Sequence, residues 1–453
     1  MTERLVVVGG CAAGMSAAAK ARRTNPDLDI VAYERTGFVA YGACGLPYYV
    51  SGLIENHNTL VVRTPEQFAK QRIEVHLHHE VTEIDTAARR VRVTDLESGE
   101  TRQEAYDKLV IATGGRATRP AGAPGFASGE LSGVFVVRTV EDGVAIREFV
   151  QRERARRAVI VGAGYIGLEM AESFRLLGLE TTVIGRPPQM LKRFDPEMAQ
   201  LMQDRLEAEG VRLSLGDEVK ALEGDAGGRV RRVISSTGAF EADLVLLALG
   251  VLPNVALVEA AGVALGETGA IATDSGMRTN LPDIFAAGDC AEAYHRVTGR
   301  DDYIPLGTTA NKQGRVTGTN VGGGDATFEG IVGTTITKAF ETYAALAGLA
   351  EKDARALGYE VRATTIKARN RAHYYPGNTP MHVKLTVEEG SGRLLGGQII
   401  GDEGAGLRIN VLAGALHGGM TVEQLSRLDL AYMPSMSPVW DPLLVAANVA
   451  LKS

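Results

Sequence analysis

Cys44 is the residue in this chain best placed for redox chemistry. It lies in the stretch YGACGLPYYVS, residues 41–51, between glycines and ahead of a proline. Gly42 and Gly45 allow a tight turn and a close approach to a flat ligand. Pro47 restricts Leu46 and suits a first helical turn, so Cys44 is expected at or just before a helix N-terminus. There the free N–H groups and the helix dipole favour a thiolate, and the thiol pKa is expected to fall. A structural cysteine buried in a Gly-rich turn is the plainer alternative. The neighbouring motifs favour the redox thiol.

Those motifs are two nucleotide-binding turns. Residues 4–34 read as a βαβ unit: a strand at 4–8, the turn Gly9-Gly10-Cys11-Ala12-Ala13-Gly14, a helix over about 15–23 and a strand at 29–33 ending at Glu34. Such a turn brings a helix N-terminus onto a pyrophosphate, and an acid some 20 residues on holds ribose hydroxyls. Glu34, with Arg35 beside it, stands 20 residues beyond Gly14, although Cys11 replaces the middle glycine of the fingerprint. The unit then recurs. Residues 157–161 form another apolar strand, and Gly162-Ala163-Gly164-Tyr165-Ile166-Gly167 is a full GxGxxG opening a helix with Glu169 and Glu172. Gly9 to Gly162 and Gly14 to Gly167 are both offsets of 153, an internal repeat of a whole nucleotide-binding half. Two dinucleotide sites in one chain provide an electron path between two cofactors. The second unit has Gly185-Arg186 where an acid is expected, with Lys192 and Arg193 downstream. An arginine there suits a 2′-phosphate and favours NADPH over NADH, while glycine at the acid position leaves NADH open.

The totals bound the rest. At 453 residues the chain is long enough for about three domains. A hydrophobic content of 45% describes an ordinary globular core, and a net charge of −7 argues against a nucleic-acid scaffold. Three cysteines (Cys11, Cys44, Cys290) are too few and odd in number for a disulfide framework, which favours a reducing, cytoplasmic compartment. The N-terminus reads as a strand, not a signal peptide, and no stretch is long and apolar enough to span a membrane. No cluster suggests a metal site.

Residues 106–114, YDKLVIATG, read as a strand ending in a glycine turn (Ala112, Thr113, Gly114), echoed by 244–250 ending at Gly250. Residues 279–291 read as a strand ending in Gly288-Asp289, whose acid can bind a ribityl chain or phosphates; Cys290 is expected to be small and buried. A helix over 306–321, rich in small residues (Gly307, Thr308, Ala310), can press its N-terminus against a ring system, and Gly322-Gly323-Gly324 reads as a linker. From about 326 the texture turns α+β: strands at 334–342 and 359–367, a hairpin of 381–387 with 394–400, a helix over 403–417, and a capping box from Thr421 to Gln424. The segment 431–442 is too apolar to dangle and suggests a subunit interface.

Fingerprint, ATG strand, second fingerprint and GD strand, in this order, resemble the two-dinucleotide flavoprotein disulfide reductase superfamily across essentially the whole chain. YGACGLPYY, the HYYPG at 373–377 and the YMPSMSPVWDP tail resemble its single-cysteine branch, which contains coenzyme A disulfide reductases, NADH oxidases and NADH peroxidases. The resemblance implies an α/β chain of two Rossmann-like FAD- and NAD(P)-binding domains plus a C-terminal α+β dimerisation domain. The expected spans are 1–115 with 254–325 for FAD, 116–253 for NAD(P) and 326–453 for the interface. It also implies a homodimer whose third domain completes the partner's active site. Tyr49 stands five residues after Cys44, where two-cysteine reductases carry their second cysteine, and Cys11-Ala12-Ala13 lacks the histidine of the oxidases and peroxidases. These features favour reduction of coenzyme A disulfide through a mixed disulfide on Cys44, with Tyr374 (or Tyr375) and Tyr432 as proton donors. Ser16, Lys20 and Arg23 share one helix face. With Arg22 and Arg72 they are candidates to grip CoA phosphates, or form a solvated face. Ala43, and Ala40 before it, depart from the serine and asparagine often found ahead of this cysteine. The rival expectations are an NAD(P)H oxidase or peroxidase, a CoA-persulfide reductase and a non-catalytic redox sensor.

Overall fold

The computed structural model describes residues 2–120 and 122–452. Two parallel five-stranded sheets repeat one another. In the first, Ile284–Ala286, Lys108–Ile111, Arg4–Val8, Asp29–Tyr33 and Ile73–His76 lie side by side. In the second the order is Val211–Leu215, Glu180–Gly185, Arg157–Val161, Leu244–Leu247 and Val134–Phe135. The strands are short apolar runs because both faces of a parallel sheet are covered. Leu5, Val6 and Val7 have no exposed surface, nor does Ile160.

The repeat extends to backbone detail. A Cβ on Gly9 would lie 2.1 Å from the Ala112 carbonyl oxygen, and one on Gly162 would lie 2.1 Å from that of Ala248. At each place a crossing chain passes so close that only glycine fits, with φ +109° and +124°. Small antiparallel sheets, His79–Asp85 with Arg90–Asp95 and Thr101–Ala105, and Val219–Gly224 with Val230–Ser235 and Ala239–Glu241, occupy corresponding places in the two halves.

The first helix, Ala12–Thr24, begins three residues earlier than the pattern suggested and packs along Gly307–Val321. Alanines on one face and glycines on the other bring the axes together: a Cβ on Gly314 or Gly318 would come within 2.3 Å of the Ala13 or Ala17 carbonyl oxygen. The glycine run after this helix is not a free linker. Gly322 caps the helix, and a Cβ there would lie 2.7 Å from Thr24 Cβ.

The C-terminal part is a five-stranded antiparallel sheet in the order Thr335–Ala339, Thr342–Gly348, Leu394–Gly401, Pro380–Glu388 and Val361–Arg369. The helix Ala405–His417 covers it, and the expected Thr421–Gln424 capping box is formed. Residues 279–291 contain much less strand than expected. Only Ile284–Ala286 are extended, because Thr279 turns back to bond the Ile284 carbonyl and Asp283 adopts φ +62°. A helix absent from the sequence reading, Pro442–Ala450, follows the apolar tail; Asp441 caps it by accepting from the Leu443 amide.

Candidate active site

Cys44 sits in a one-turn 3₁₀ helix, Ala43–Gly45, followed by the helix Leu46–Ser51 with Pro47 in its first turn. The turn closes through Gly42 N–H to Leu60 O at 2.8 Å and Gly45 N–H to Gly42 O at 2.9 Å. The second nucleotide-binding half grips it from behind. Ser173 Oγ donates to the Pro47 carbonyl at 2.8 Å, and the Arg147 guanidinium lies 4.8 Å over the Tyr49 ring while bonding the Tyr49 carbonyl. Leu46 and Val50 are buried there, so the cysteine end of the helix is fixed by packing.

The thiol is exposed on one side and crowded by protein on the other, and its pKa is raised, not lowered as expected. Burial is the largest cause, followed by the carboxylates of Glu169 and Asp289; Arg138 and the Cys44 backbone amide oppose it. A helix of six residues offers little dipole to set against burial and two carboxylates. Arg138 is the cation here. It lies 3.2 Å from Asp289 Oδ2 and donates to the Gly115 carbonyl at 3.2 Å.

Glu169 is the group that the sequence reading left without a role. It is one turn into the helix Tyr165–Leu176, and burial, with Glu172 below it, pushes its carboxyl up to about 7. The Thr337 hydroxyl, from the C-terminal sheet, donates to it at 3.1 Å; Glu172 is itself paired with Lys338 at 2.8 Å. Tyr165 Oη meets Thr335 Oγ1 at 2.8 Å. The only signal in the sequence was the acid two residues after the second fingerprint.

Both glycine turns lie between a strand end and a helix N-terminus. At the first, the Gly10 N–H donates to Glu34 Oε2 at 2.7 Å, so the acid lies across the turn at the end of its strand. Glu34 also accepts from the Thr36 amide at 2.9 Å, and Arg35 stands 3.9 Å from Glu80. Cys11 caps the first helix with its thiol against the Tyr41 carbonyl, and burial raises it to about 11. Ala12 starts the helix and Gly14 lies under Gly9. Gly288, beside Asp289, is held by its N–H to buried Gln313 at 2.8 Å. Thr113 bonds the Asn254 carbonyl, and Cys290 is fully buried. Gly307 and Thr308 stand exposed at a helix N-terminus, with Ala310 buried behind them. A Cβ at Gly164, in the second turn, would meet nothing within 4 Å, nor would one at Gly114 or Gly250 after the strands that cross behind the two turns. Gly162, Ile166 and Gly167 line the second turn, and Arg186 is exposed beyond Gly185. The two cradles fit one FAD and one nicotinamide dinucleotide.

The candidate substrate residues separate into two groups. Arg22 is engaged with the carbonyls of Pro26, Gln71 and Arg72, and Arg72 with Pro26. Ser16 donates to Asn311 at 2.7 Å. Among the described residues Lys20 and Arg23 form no ion pair, and Ala43 lies half-buried beside Cys44. Tyr374 and Tyr432 lie together, their hydroxyls 3.0 Å apart, with Tyr375 alongside. The largest charged influences on Cys44 within its own chain are Glu169, Asp289 and Arg138; this tyrosine pair is not among them. No described helix is long and apolar enough to cross a membrane.

Comparison with known proteins identifies the arrangement. Residues 3–314 match the pyridine nucleotide-disulphide oxidoreductase family and 335–443 its dimerisation domain. The chain is 40% identical over 451 residues to an NAD(P)H coenzyme A polysulfide/persulfide reductase of Pyrococcus horikoshii, covering 99% of this chain and 98% of that protein. It is 30% identical over 437 residues to a coenzyme A disulfide reductase of Staphylococcus epidermidis, covering 96% of each. Among solved structures, an NAD-dependent persulfide reductase from A. fulgidus superposes with a TM-score of 0.95 at 40% identity, covering 99% of this chain and 83% of that one. The chain belongs to the FAD-dependent pyridine nucleotide-disulphide oxidoreductase family, with its dimerisation domain.

Proposed function

We propose that this protein reduces coenzyme A disulfide to two CoA thiols at the expense of NADPH, through FAD and a mixed disulfide on Cys44. The observation that carries the proposal is the single exposed thiol in a fixed turn. Tyr49 is half a helix away where a partner cysteine would be needed, and the other two cysteines are half-buried and buried. A thiol with no partner in its own chain must form its disulfide with a substrate thiol.

The chemistry balances as CoA–S–S–CoA + NADPH + H⁺ giving 2 CoA–SH + NADP⁺. FAD supplies the relay of the electron pair from nicotinamide to sulfur. The Cys44 thiolate attacks one sulfur of the disulfide and expels the first CoA thiolate, leaving Cys44–S–S–CoA. Reduction of that bond returns the second CoA and the Cys44 thiolate. Tyr374 and Tyr432, contributed across a homodimer, protonate the departing thiolate. Glu169, near neutrality in its pKa, holds or yields a proton beside Cys44 as charge builds there. Gly9, Ala12, Gly14, Glu34, Gly288 and Asp289 hold FAD; Gly162, Gly164, Gly167 and Arg186 hold NADPH; Lys20 and Arg23 are the free cations for CoA phosphates.

A second reading is reduction of CoA persulfide, CoA–S–SH + NADPH + H⁺ giving CoA–SH + H₂S + NADP⁺. The names borne by the Pyrococcus and A. fulgidus proteins favour it. Anaerobic NADPH oxidation by the FAD-loaded protein tests both. Turnover with CoA disulfide, lost in Cys44→Ser while FAD stays bound, supports the first. Turnover with CoA persulfide and not the disulfide selects the second, and turnover with neither overturns both.

A further inference from the structure

The helix that opens at the second glycine turn, Tyr165–Leu176, lies along the edge strand of the C-terminal sheet, Thr335–Ala339. Tyr165 and Glu169 stand one turn apart on one helix face, about 6 Å along the axis. Thr335 and Thr337 share one side of the strand, about 6.6 Å apart. The two spacings match, and each threonine meets one helix residue. Thr335 Oγ1 lies 2.8 Å from Tyr165 Oη, and Thr337 Oγ1 donates to Glu169 Oε1 at 3.1 Å. Both threonines are buried, at 6% and 4% exposure, while Ile336 between them is 46% exposed.

A buried strand position packed against a helix ordinarily takes valine or isoleucine. At 337 that β-branched shape carries a hydroxyl, and it is the only donor to the Glu169 carboxyl among the described residues. Lys338, next in the strand, is engaged elsewhere: its ammonium lies 2.8 Å from Glu172 and 2.7 Å from the Phe340 carbonyl. The same helix meets the cysteine turn, where Ser173 Oγ lies 2.8 Å from the Pro47 carbonyl and 2.9 Å from that of Glu169. Glu169 is the largest charged influence on Cys44. The other titratable groups around this junction are Glu172, Lys338 and Tyr343 on one side and Cys44 and Tyr48 on the other. A buried carboxylate that loses its one donor takes up a proton more readily.

We propose that Thr337 is a positioning residue for the thiol chemistry: its hydroxyl, delivered by the C-terminal domain of the same chain, fixes the Glu169 carboxyl beside Cys44 and holds it in the form that accepts a proton. This rests on reading Cys44 as the redox thiol. It goes beyond a third domain that serves as an interface, because that domain then also acts on the site of its own chain. Thr337 acts through Glu169 alone.

The test is the rate of Cys44 alkylation by iodoacetamide in the reduced, FAD-loaded protein from pH 5 to pH 9, with Cys44→Ser as the blank. In the wild type, ionisation of Glu169 at about 7 holds back the gain in thiolate, and the profile should bend there. Thr337→Val keeps the shape and removes the donor. The bend should then move up by about one pH unit, and alkylation at pH 8 should rise about threefold. At pH 5, with the carboxyl protonated in both proteins, the rates should agree. Thr337→Ser, which restores the hydroxyl, should return the wild-type profile, and Glu169→Gln should abolish the bend and make Thr337→Val silent. Thr337→Ala gives the same readings should the valine variant not fold. A Thr337→Val profile that superposes on the wild type overturns the proposal, even where the thermal midpoint falls, since packing alone would do that. An equal rise in the Glu169→Gln background overturns it too. A shifted profile in a protein that turns over neither CoA disulfide nor CoA persulfide supports the contact and overturns only the proposed function.

Discussion

The hydroxyls of Tyr374 and Tyr432 meet at 3.0 Å although 58 residues separate them in sequence. The two irregular segments that carry them are tied together by the backbone and by one arginine. Ala372 N–H donates to Pro434 O at 3.1 Å, and Arg408 bonds the Asn370 and Met436 carbonyls at 2.9 and 2.8 Å while pairing with Asp441. The contact with Tyr374 is the largest cause of a raised Tyr432 pKa, which keeps that hydroxyl protonated. The proposed proton donor, shared by two phenols, predicts unequal but coupled losses. Tyr432→Phe and Tyr374→Phe should each lower kcat with CoA disulfide by roughly 10²-fold, and the double variant by less than the product. Reduction of an artificial acceptor that takes electrons directly from FAD should be unchanged; additive losses, or an equal loss with that acceptor, would remove the tyrosines from proton transfer.

The raised pKa of Glu169 gives a pH signature with a definite sign. Its carboxyl sits at about 7 in the fold against 4.5 for an ordinary side chain. The folded state therefore binds the extra proton between those values, and the stability penalty of this group grows as pH rises through that window. Glu169→Gln should stabilise the protein at pH 8 by roughly 1–3 kcal/mol and leave it unchanged at pH 4, read as thermal midpoints across pH. Because ionised Glu169 also raises the Cys44 pKa, the variant should alkylate at Cys44 faster at pH 8. A flat stability difference across pH would show that the group does not titrate there.

How much of this was legible depends on the range of the interactions. Gly9, Gly162 and the strands beside them follow local rules, and a glycine turn between an apolar strand and a helix announces itself. The repeat at a fixed offset settled the architecture before any contact was known. Cys44 was readable as a candidate site for the same reason, but the direction of its pKa shift was not. That depends on Glu169, Asp289 and Arg138, which come from three distant segments. Arg22, next to the Ser16–Lys20–Arg23 face, and Arg72, from the next segment, were candidates for phosphate contacts; both donate to carbonyls of a neighbouring turn, contacts that helical spacing cannot express.

Lys384 joins the nucleotide-binding half to the C-terminal sheet. It is only 4% exposed and lies 2.9 Å from Asp195 and 2.8 Å from Glu351, with Glu197 also in contact. Burial alone would raise the Asp195 carboxyl, but Lys384, the Lys352 amide and Gln398 hold it below its usual range. This cluster's contribution is therefore present above the ordinary carboxylate range and lost as pH falls through the lowered pKa values. Lys384→Ala should cost roughly 3–5 kcal/mol near neutrality, since it strands buried Asp195, and the deficit should shrink in acid. Lys384→Met paired with Asp195→Asn should recover part of the loss; no recovery, or a deficit that ignores pH, would mean that packing and not charge holds the junction.

The glycine ridge of the helix Gly307–Val321 links packing to cofactor binding. A Cβ at Gly318 would fall 2.3 Å from the Ala17 carbonyl oxygen and 2.8 Å from Lys20 Cβ, both in the helix that opens at the first glycine turn. A side chain there pushes that helix outward, and the Gly9–Gly14 turn moves with its N-terminus. Backbone contacts of this kind cannot relax by a rotamer change, so Gly318→Ala should cost roughly 1–3 kcal/mol and Gly318→Val more. The change should weaken FAD binding before it unfolds the sheet, because the displaced element carries the turn proposed to hold the FAD pyrophosphate while the strands beneath are untouched. Flavin release on gel filtration at a temperature where circular dichroism is still native is the expected result. Full FAD retention in a folded Gly318→Val protein would show that the cradle is set by the strand ends alone.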